Sequence, residues 1–183
     1  SAGEALDGGT GTNTIRFTGS SNLAGATFSN IQAVVIGEGF TATFDGAQLD
    51  GLTWSVNGTA GGVSEILVVN AAAAAAFSLA GLTGLANLAA VQVNGSTGNE
   101  SLIGSTSADS LTGLAGNDTL AGGAGDDTLS GGTGADSLAG DAGNDTFIYS
   151  GVAGEASAGE TVDGGAGTNT VAFTASVDVS AVS

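Results

Sequence analysis

A nonapeptide repeat constrains the fold of this chain more than any other feature of its sequence. Six copies follow one another without a gap from Gly95 to Ile148, and each begins with Gly. In every copy the sixth position is acidic and the eighth is a large apolar residue. The acids are Glu100, Asp109, Asp118, Asp127, Asp136 and Asp145, and the apolar residues are Leu102, Leu111, Leu120, Leu129, Leu138 and Phe147. A fixed period of this kind indicates stacked structural units rather than a Gly-rich linker.

Each nonapeptide combines a turn with a short strand. Gly at the turn positions permits positive φ and close approach of neighbouring backbones, and the Thr, Ser and Leu that follow suit a strand. One large apolar residue per repeat gives a small core that hardly offsets the entropy of ordering so much Gly, and stacked carboxylates repel one another. A hard cation resolves both problems. Ca²⁺ takes about six to eight oxygens in irregular geometry, which Mg²⁺ tolerates poorly.

This pattern resembles the RTX (repeat-in-toxin) calcium-binding family, whose consensus is G-G-x-G-x-D-x-U-x. The resemblance implies an all-β fold, a right-handed parallel β-solenoid of the calcium β-roll type. Successive turns then lie on opposite edges of the roll, and turns two repeats apart stack. The absence of Lys and Cys and the Ala/Thr/Gly-rich strands are most similar to RTX-containing bacterial surface-layer and extracellular structural proteins.

Stacking divides the repeat acids between two edges and predicts about four Ca²⁺ ions. The predicted pairs are Glu100/Asp118, Asp118/Asp136, Asp109/Asp127 and Asp127/Asp145. We expect the Gly-rich turns to add backbone carbonyls from Gly113, Gly116, Gly122, Gly123, Gly125, Gly131, Gly132, Gly134, Gly140 and Gly143. The pair containing Glu100 departs from the pattern, because Glu is longer than Asp and Ser96 stands where the second Gly belongs.

The charge and composition exclude several classes of function. Arg16 is the single base against 18 acids, for a net charge of −17, so the chain has no basic surface for nucleic acid. It has no Cys or His for disulfides, zinc sites or His-based triads. Because no nucleophile, metalloprotease or phosphate-loop motif is present either, we expect no enzymatic activity. The alternative for the repeat acids is a solvated face that keeps the protein soluble.

The sequence divides into a β-solenoid region at 1–94, the calcium roll at 95–148, and an insertion with a degenerate coil at 149–183. Candidate strands of the first region are 14–18, 33–36, 41–44, 53–57, 65–69 and 90–94. Trp54, Phe40, Phe44 and Phe77 are expected in the core. The uncharged stretch Ile66 to Val93 is interrupted by polar residues, so we interpret it as buried solenoid rather than a transmembrane segment. The run Ala71–Ala76 fits either a helical turn or a packed edge.

The two ends of the chain repeat one another. Residues 1–18 recur at 157–174 with 13 of 18 positions identical. Both copies resemble degenerate RTX coils in which Asn replaces the sixth-position acid, although Glu160 and Asp163 offer one oxygen each. A solenoid end leaves strand edges that must be capped or paired. We therefore predict head-to-tail stacking of the last coil on the first coil of a next copy, either in a longer chain or in an adjacent subunit; the alternative is an internal duplication with no role in assembly.

These features lead to one functional hypothesis and two alternatives. The chain is predicted to be a secreted structural protein that folds on Ca²⁺ and self-assembles, head-to-tail or laterally, as a surface layer or filament. Cell-surface polysaccharide is a further partner to consider. Family resemblance implies an extracellular or cell-surface location reached by type I secretion. The alternatives are a secretion or stalk module of a larger enzyme or toxin, and one repeat of a giant RTX adhesin.

Overall fold

The structure is a computed structural model that describes residues 5–7, 9–10, 14–17, 19–23, 26–29, 33–36, 40–45, 55–57, 66–70, 76–78 and 90–176. Within these residues it contains eighteen β-strands and no helix. The strands before residue 90 are β1 (Ala5–Asp7), β2 (Thr14–Phe17), β3 (Ser21–Asn22), β4 (Thr27–Ser29), β5 (Ala33–Ile36), β6 (Thr41–Asp45), β7 (Ser55–Asn57), β8 (Ile66–Asn70) and β9 (Ala76–Ser78).

The remaining strands form the repeat region and the coil that follows it. They are β10 (Ala90–Ser96), β11 (Ser101–Ile103), β12 (Asp109–Ala115), β13 (Thr119–Ala121), β14 (Thr128–Thr133), β15 (Ser137–Ala139), β16 (Thr146–Tyr149), β17 (Thr161–Asp163) and β18 (Thr170–Phe173). Each nonapeptide thus supplies one strand, as the alternation of Gly-rich and Thr/Leu segments predicts.

The strands pair in parallel across two long sheets and two short ones. One long sheet has the order β18-β16-β14-β12-β10-β8-β6-β3, and the other has the order β17-β15-β13-β11-β9. The short sheets are β1-β4 and β2-β5-β7. Neighbouring strands in every sheet come from successive coils, which is the arrangement of a parallel β-solenoid. The predicted all-β solenoid is confirmed.

The register places the apolar repeat positions on top of one another. Leu111 pairs with Leu129 in one long sheet, and Leu102 with Leu120 in the other. Because successive side chains of a strand point to opposite faces, the eighth position of each repeat is buried inside the roll. One continuous core results, made of Val34, Ala42, Phe44, Leu67, Val69, Val91, Val93, Leu102, Leu111, Leu120, Leu129, Leu138 and Phe147.

An insertion changes the register after β16. Ser137 pairs with Thr161 and Thr146 with Thr170, so the last coil is longer than the repeat coils below it. The additional residues lie in the turn-rich segment between β16 and β17. Strand pairing resumes beyond the insertion, because the stacking of coils tolerates extra length in a surface turn.

The predicted strands of the first region are present within about two residues as β2, β5, β6, β7, β8 and β10. Phe44 is buried and Phe40 packs against the core, as expected. Phe77 lies in β9, whereas Trp54 and residues 71–75 lie outside the described residues. Among the described residues no helix is long and apolar enough to span a membrane.

Candidate metal centre

The six repeat acids stack in two columns, one on each edge of the roll, as the repeat register predicts. In each column the backbone N–H of one acid donates a hydrogen bond to a carboxylate oxygen of the acid in the next coil. These bonds run from Glu100 to Asp118 (2.7 Å), Asp118 to Asp136 (2.8 Å), Asp109 to Asp127 (2.8 Å) and Asp127 to Asp145 (2.9 Å). All six side chains are buried. The structure therefore brings together all four predicted pairs.

Both columns continue into the coil beyond the insertion. The Asp136 N–H donates to Glu160 Oε2 at 3.0 Å, and the Asp145 N–H donates to Asn169 Oδ1 at 2.8 Å. Sequence reasoning gave Glu160 and Asp163 equal weight, because the inserted residues hide which of them aligns with the sixth position. Glu160 is 1% exposed. Asp163 is exposed instead, and one of its carboxylate oxygens accepts the Gly165 N–H.

Four of the repeat acids keep one carboxylate oxygen that has no hydrogen-bond partner in the described structure. This oxygen is Oδ2 of Asp118, Asp127, Asp136 and Asp145, and it is fully buried in each case. A buried carboxylate oxygen without a donor or a counter-charge is costly. Four such atoms at equivalent positions indicate a bound cation.

The first Gly of each turn leaves room beside this unpartnered oxygen. A Cβ at Gly113 would collide with Asp118 Oδ2 and with the carbonyl oxygen of Gly131 in the next coil. The same two kinds of atom, from Asp127 and Gly140, surround Gly122. Carboxylate and carbonyl oxygens thus converge on the space that a side chain would fill. Hard oxygen donors of this kind suit Ca²⁺.

The fourth-position Gly lets the coils approach one another. Gly134 has a φ of 138°, and a Cβ there would collide with the carbonyl oxygen of Gly116 in the coil below. The other predicted Gly residues of the turns also lie in the two stacks, and the complete set is Gly113, Gly116, Gly122, Gly123, Gly125, Gly131, Gly132, Gly134, Gly140 and Gly143. Of this set, the carbonyl oxygens of Gly131 and Gly140 lie close to an unpartnered carboxylate oxygen, and metal binding by the other Gly residues stays a prediction.

Burial makes ionisation of the stacked acids unfavourable when no cation is bound. Desolvation raises the pKa of Asp109, Asp118 and Asp136 above the ordinary value. For Asp127, desolvation and the charges of Asp109 and Asp145 raise the pKa to about 7. A divalent cation between the coils would reverse this effect, because an opposite charge favours the ionised form.

The first two turns of the roll satisfy their acids differently. Glu100 Oε2 accepts the Ser96 N–H at 3.0 Å, and Glu100 Oε1 accepts the Ser96 hydroxyl at 2.6 Å. Asp109 Oδ2 accepts the Ser105 N–H at 2.6 Å and the Ser105 hydroxyl at 2.9 Å. Asp109 Oδ1 is left without a partner. In these two turns the Ser donors thus contact carboxylate oxygens equivalent to those that have no partner in the next four turns.

A protein donor also satisfies the acid at the upper end of one column. The Tyr149 hydroxyl donates to Glu160 Oε1 at 2.9 Å, so both oxygens of Glu160 have partners. Desolvation and then this hydrogen bond raise the pKa of Tyr149, and desolvation raises the pKa of Glu160. In the insertion, the buried Glu155 accepts bonds from Ser150, Gly151 and Val152. That carboxylate fastens the inserted turn.

The fifth repeat position forms a second ladder that sequence reasoning missed. Asn99 Oδ1 accepts the Asn117 N–H at 2.8 Å, and Asn117 Oδ1 accepts the Ala135 N–H at 2.9 Å. On the other edge Asp126 Oδ1 accepts the Asn144 N–H at 2.8 Å. These side chains are exposed and lie next to the buried acids. The recurrence of Asn or Asp before the sixth-position acid was the available signal.

Any ion in a column must draw much of its coordination from the backbone. Within the described residues, no three His, Cys, Asp or Glu side chains form a group that could hold a metal. Two stacked carboxylates and the neighbouring turn carbonyls are the donors at hand. This donor set fits Ca²⁺, which accepts backbone carbonyls readily, and does not suit metals that require nitrogen or sulfur ligands.

Comparison with known families agrees with this donor set. The family model described as the RTX calcium-binding nonapeptide repeat matches residues 94–129 and 122–151, with four copies. No curated protein matches the chain. The matched residues are the coils that carry the stacked acids, the converging Gly carbonyls and the parallel strands. Residues 94–151 are RTX calcium-binding nonapeptide repeats folded as a parallel β-roll.

Proposed function

We propose that this chain is part of a secreted structural protein whose roll folds on Ca²⁺ outside the cell and whose coils stack from copy to copy. The assembly formed in this way is a filament or a surface layer. The observation that carries the proposal is the structural likeness between the first and last described coils, whose strands lie at the ends of the sheets formed by the described residues.

The two end coils have the same local structure. β1 and β17 occupy corresponding positions of the duplicated segment, as do β2 and β18. Gly9 and Gly165 both have a φ of 70°. Each donates its N–H to an oxygen of the Asp two residues earlier, at 3.0 Å in both coils. The sequence duplication is therefore also a duplication of backbone geometry.

The last described coil exposes strand edges and an apolar side chain of the kind that the next coil covers elsewhere in the solenoid. Among the strands that the structure describes, β17 and β18 lie at the ends of the two long sheets. Val171 pairs with the buried Phe147 of the coil below, yet Val171 is 46% exposed. β1 and β2 are likewise end strands of their sheets. Stacking of β17 and β18 on the first coil of another copy would extend both sheets. Heterologous contacts that do not close generate filaments or arrays.

We propose about four bound ions, one for each unpartnered Oδ2. Asp118, Asp127, Asp136 and Asp145 carry these atoms. The pairs Glu100/Asp118 and Asp109/Asp127 stay predictions, and the hydrogen bonds from Ser96 and Ser105 count against them.

Calcium then links folding to location. A ligand that binds the folded state alone stabilises it by RT ln(1 + [L]/Kd). Extracellular calcium modules bind with Kd on the order of 10⁻⁴–10⁻³ M, so the roll would stay unfolded in a low-calcium cytosol and fold outside. RTX repeat proteins are typically extracellular and exported by type I secretion, and we propose the same route here. We also propose that the segment is not catalytic, because its regularly spaced acids are engaged in the columns.

Electron microscopy of the chain in millimolar Ca²⁺ tests the assembly. The wild type should form filaments or sheets, and Val171→Asp should remove them, because a charge on the last coil opposes stacking. Val152→Asp is the matched control, since Val152 is 58% exposed but lies in the inserted turn. A folded, monodisperse wild-type monomer would overturn the assembly proposal and favour a stalk module of a larger protein.

A further inference from the structure

The second position of the nonapeptide turn exists in two backbone states. In four consecutive turns this position has positive φ: 82° at Leu114, 98° at Gly123, 97° at Gly132 and 67° at Asp141. Two of these residues are not Gly, so the state is adopted even where a side chain opposes it. In the two turns before them the second position is Ser, at Ser96 and Ser105, and neither Ser has positive φ.

The two backbone states coincide with two hydrogen-bonding patterns of the sixth-position acid. In the Ser turns the second-position N–H and the hydroxyl both donate to the acid of the same turn. In the four turns with positive φ the acid instead keeps its buried Oδ2 unpartnered. The change from one state to the other falls between the second and third repeats. The roll therefore contains two kinds of turn, although the nine-residue period of its sequence continues unchanged from one kind to the other.

The Ser hydroxyl is held in place to make this contact. Ser96 Oγ accepts the Gly98 N–H at 3.1 Å, and Ser105 Oγ accepts the Ser107 N–H at 3.1 Å. Each hydroxyl thus accepts from the turn backbone and gives its proton to the carboxylate. A backbone N–H and an oriented hydroxyl give the buried carboxylate hydrogen-bond partners, which offset part of the cost of burying it. Both turns therefore use the same Ser donors, although these contact the two oxygens of Glu100 in one turn and only Oδ2 of Asp109 in the other.

We propose that the two Ser turns, residues 95–112, are the metal-independent base of the roll. In them the Ser donors take the place that Ca²⁺ takes in the four turns that follow. The calcium array then begins at Gly113, and the Ser turns present a folded coil on which the calcium-dependent coils assemble. This inference rests on the proposed binding of Ca²⁺ by Asp118, Asp127, Asp136 and Asp145.

The remaining oxygen of Asp109 agrees with this boundary. Asp109 Oδ1 is the counterpart of the oxygen that in Asp127 accepts the N–H of the coil below. The residue paired with Asp109 in the coil below is Val91 of β10, which belongs to the apolar solenoid. Asp109 Oδ1 therefore has no partner because Asp109 is the lowest acid of its column, where the ladder of hydrogen bonds between acids ends.

Exchanging the second-position residue in the full-length chain tests the inference. Ser105→Gly removes both the hydroxyl and the restriction on φ, so calorimetric titration should count about one more Ca²⁺ than in the wild type. Gly123→Ser should lose about one. Ser105→Thr is the matched control: it changes the side chain but keeps the hydroxyl that donates to Asp109, so the ion count should not change.

Hydrogen exchange in chelator gives a second, independent readout. The wild-type amides of Ser105 and Ser96, which donate to the acids of their own turns, should stay protected, whereas the amide of Asp127 should lose protection. Ca²⁺ binding with equal loss of protection in both sets, or with an unchanged ion count in Ser105→Gly and Gly123→Ser, would overturn the inference alone. Absence of Ca²⁺ binding by the wild type would overturn the proposed function and the inference with it.

Discussion

The upstream solenoid and the calcium roll stack in the same way but are stabilised differently. β6, β8 and β10 each bury two apolar side chains, for example Leu67 and Val69 in β8. β11, β13 and β15 each bury a single Leu, and the turn before each contains a buried acid. The comparison shows that one backbone plan serves both regions. An apolar interior stabilises the first region, whereas the second depends on how its acids are neutralised.

This difference has a direct energetic consequence. Burial of apolar surface stabilises a coil roughly in proportion to the area removed from water, while every ordered residue costs conformational entropy, and Gly costs the most. For each residue, the roll therefore gains less stabilisation from apolar burial and loses more conformational entropy than the upstream solenoid does. Its buried carboxylates add a further penalty unless a cation or a protein donor contacts them.

The largest expected effect is that of calcium removal. We expect chelation to unfold the coils from Gly113 onward and to leave β8 and β10 folded, because the latter bury a sufficient apolar core without metal. Circular dichroism should show a partial loss of β-structure, and amide exchange should locate it in β13 to β16. Adding Ca²⁺ should restore the signal, and Mg²⁺ should do so much less. Retained protection of β13 and β15 in chelator would contradict the comparison.

The next largest effect is the loss of one acid from a column. Asp127 lies between two acids, Asp109 and Asp145, whereas Asp145 lies between Asp127 and the neutral Asn169. Asp127→Ala should therefore weaken Ca²⁺ binding more than Asp145→Ala, by roughly tenfold, or about 1.4 kcal/mol. Each variant leaves one backbone N–H unpartnered, so the pair is matched in that cost. Equal losses in calorimetric titration would count against stacked sites.

The features of the fold and of the acid columns differ in how far the sequence predicts them, because their physical causes differ. The columns and the buried Leu positions depend on a strict period, which one sequence displays directly. The Gly-rich turn before Asn169 predicted that this residue occupies the sixth position, whereas the alignment of Glu160 with a column depends on where the insertion loops out, which composition does not reveal. The positive φ of Leu114 and Asp141 opposes local preference, so it is imposed by the stacked turns. Ser96 was visible in the sequence as a departure from Gly-Gly, but Ser105 was missed, and the hydrogen bonds of both residues depend on how the turn folds.

A smaller effect is expected from adding one methyl group between the coils. Gly134→Ala places a Cβ against the carbonyl of Gly116 at a φ of 138°, and should lower the free energy of unfolding of the calcium-loaded roll by about 1–2 kcal/mol. Gly19→Ala in the first region is the control, since nothing lies within 4 Å of a Cβ there. Its effect should stay within about 0.5 kcal/mol. Thermal unfolding in saturating Ca²⁺ measures both, and similar losses would refute the close stacking.

The smallest expected effect is that of pH on the metal-free roll, because protonation neutralises the acids without tying the turns together. Asp127 has a folded-state pKa of about 7 against an ordinary 3.8. Between these values the folded chain holds a proton that the unfolded chain releases, so the free energy of unfolding falls as pH rises and levels off above about pH 7. Metal-free protein should therefore have a higher Tm at about pH 5 than at about pH 8, and Asp127→Asn should reduce the difference.

With Ca²⁺ bound the order should invert, because protons then compete with the cation for the same carboxylates. A metal-free Tm that rises with pH would show that the protein itself stabilises the charged carboxylates of the roll, and would remove the contrast between the two regions.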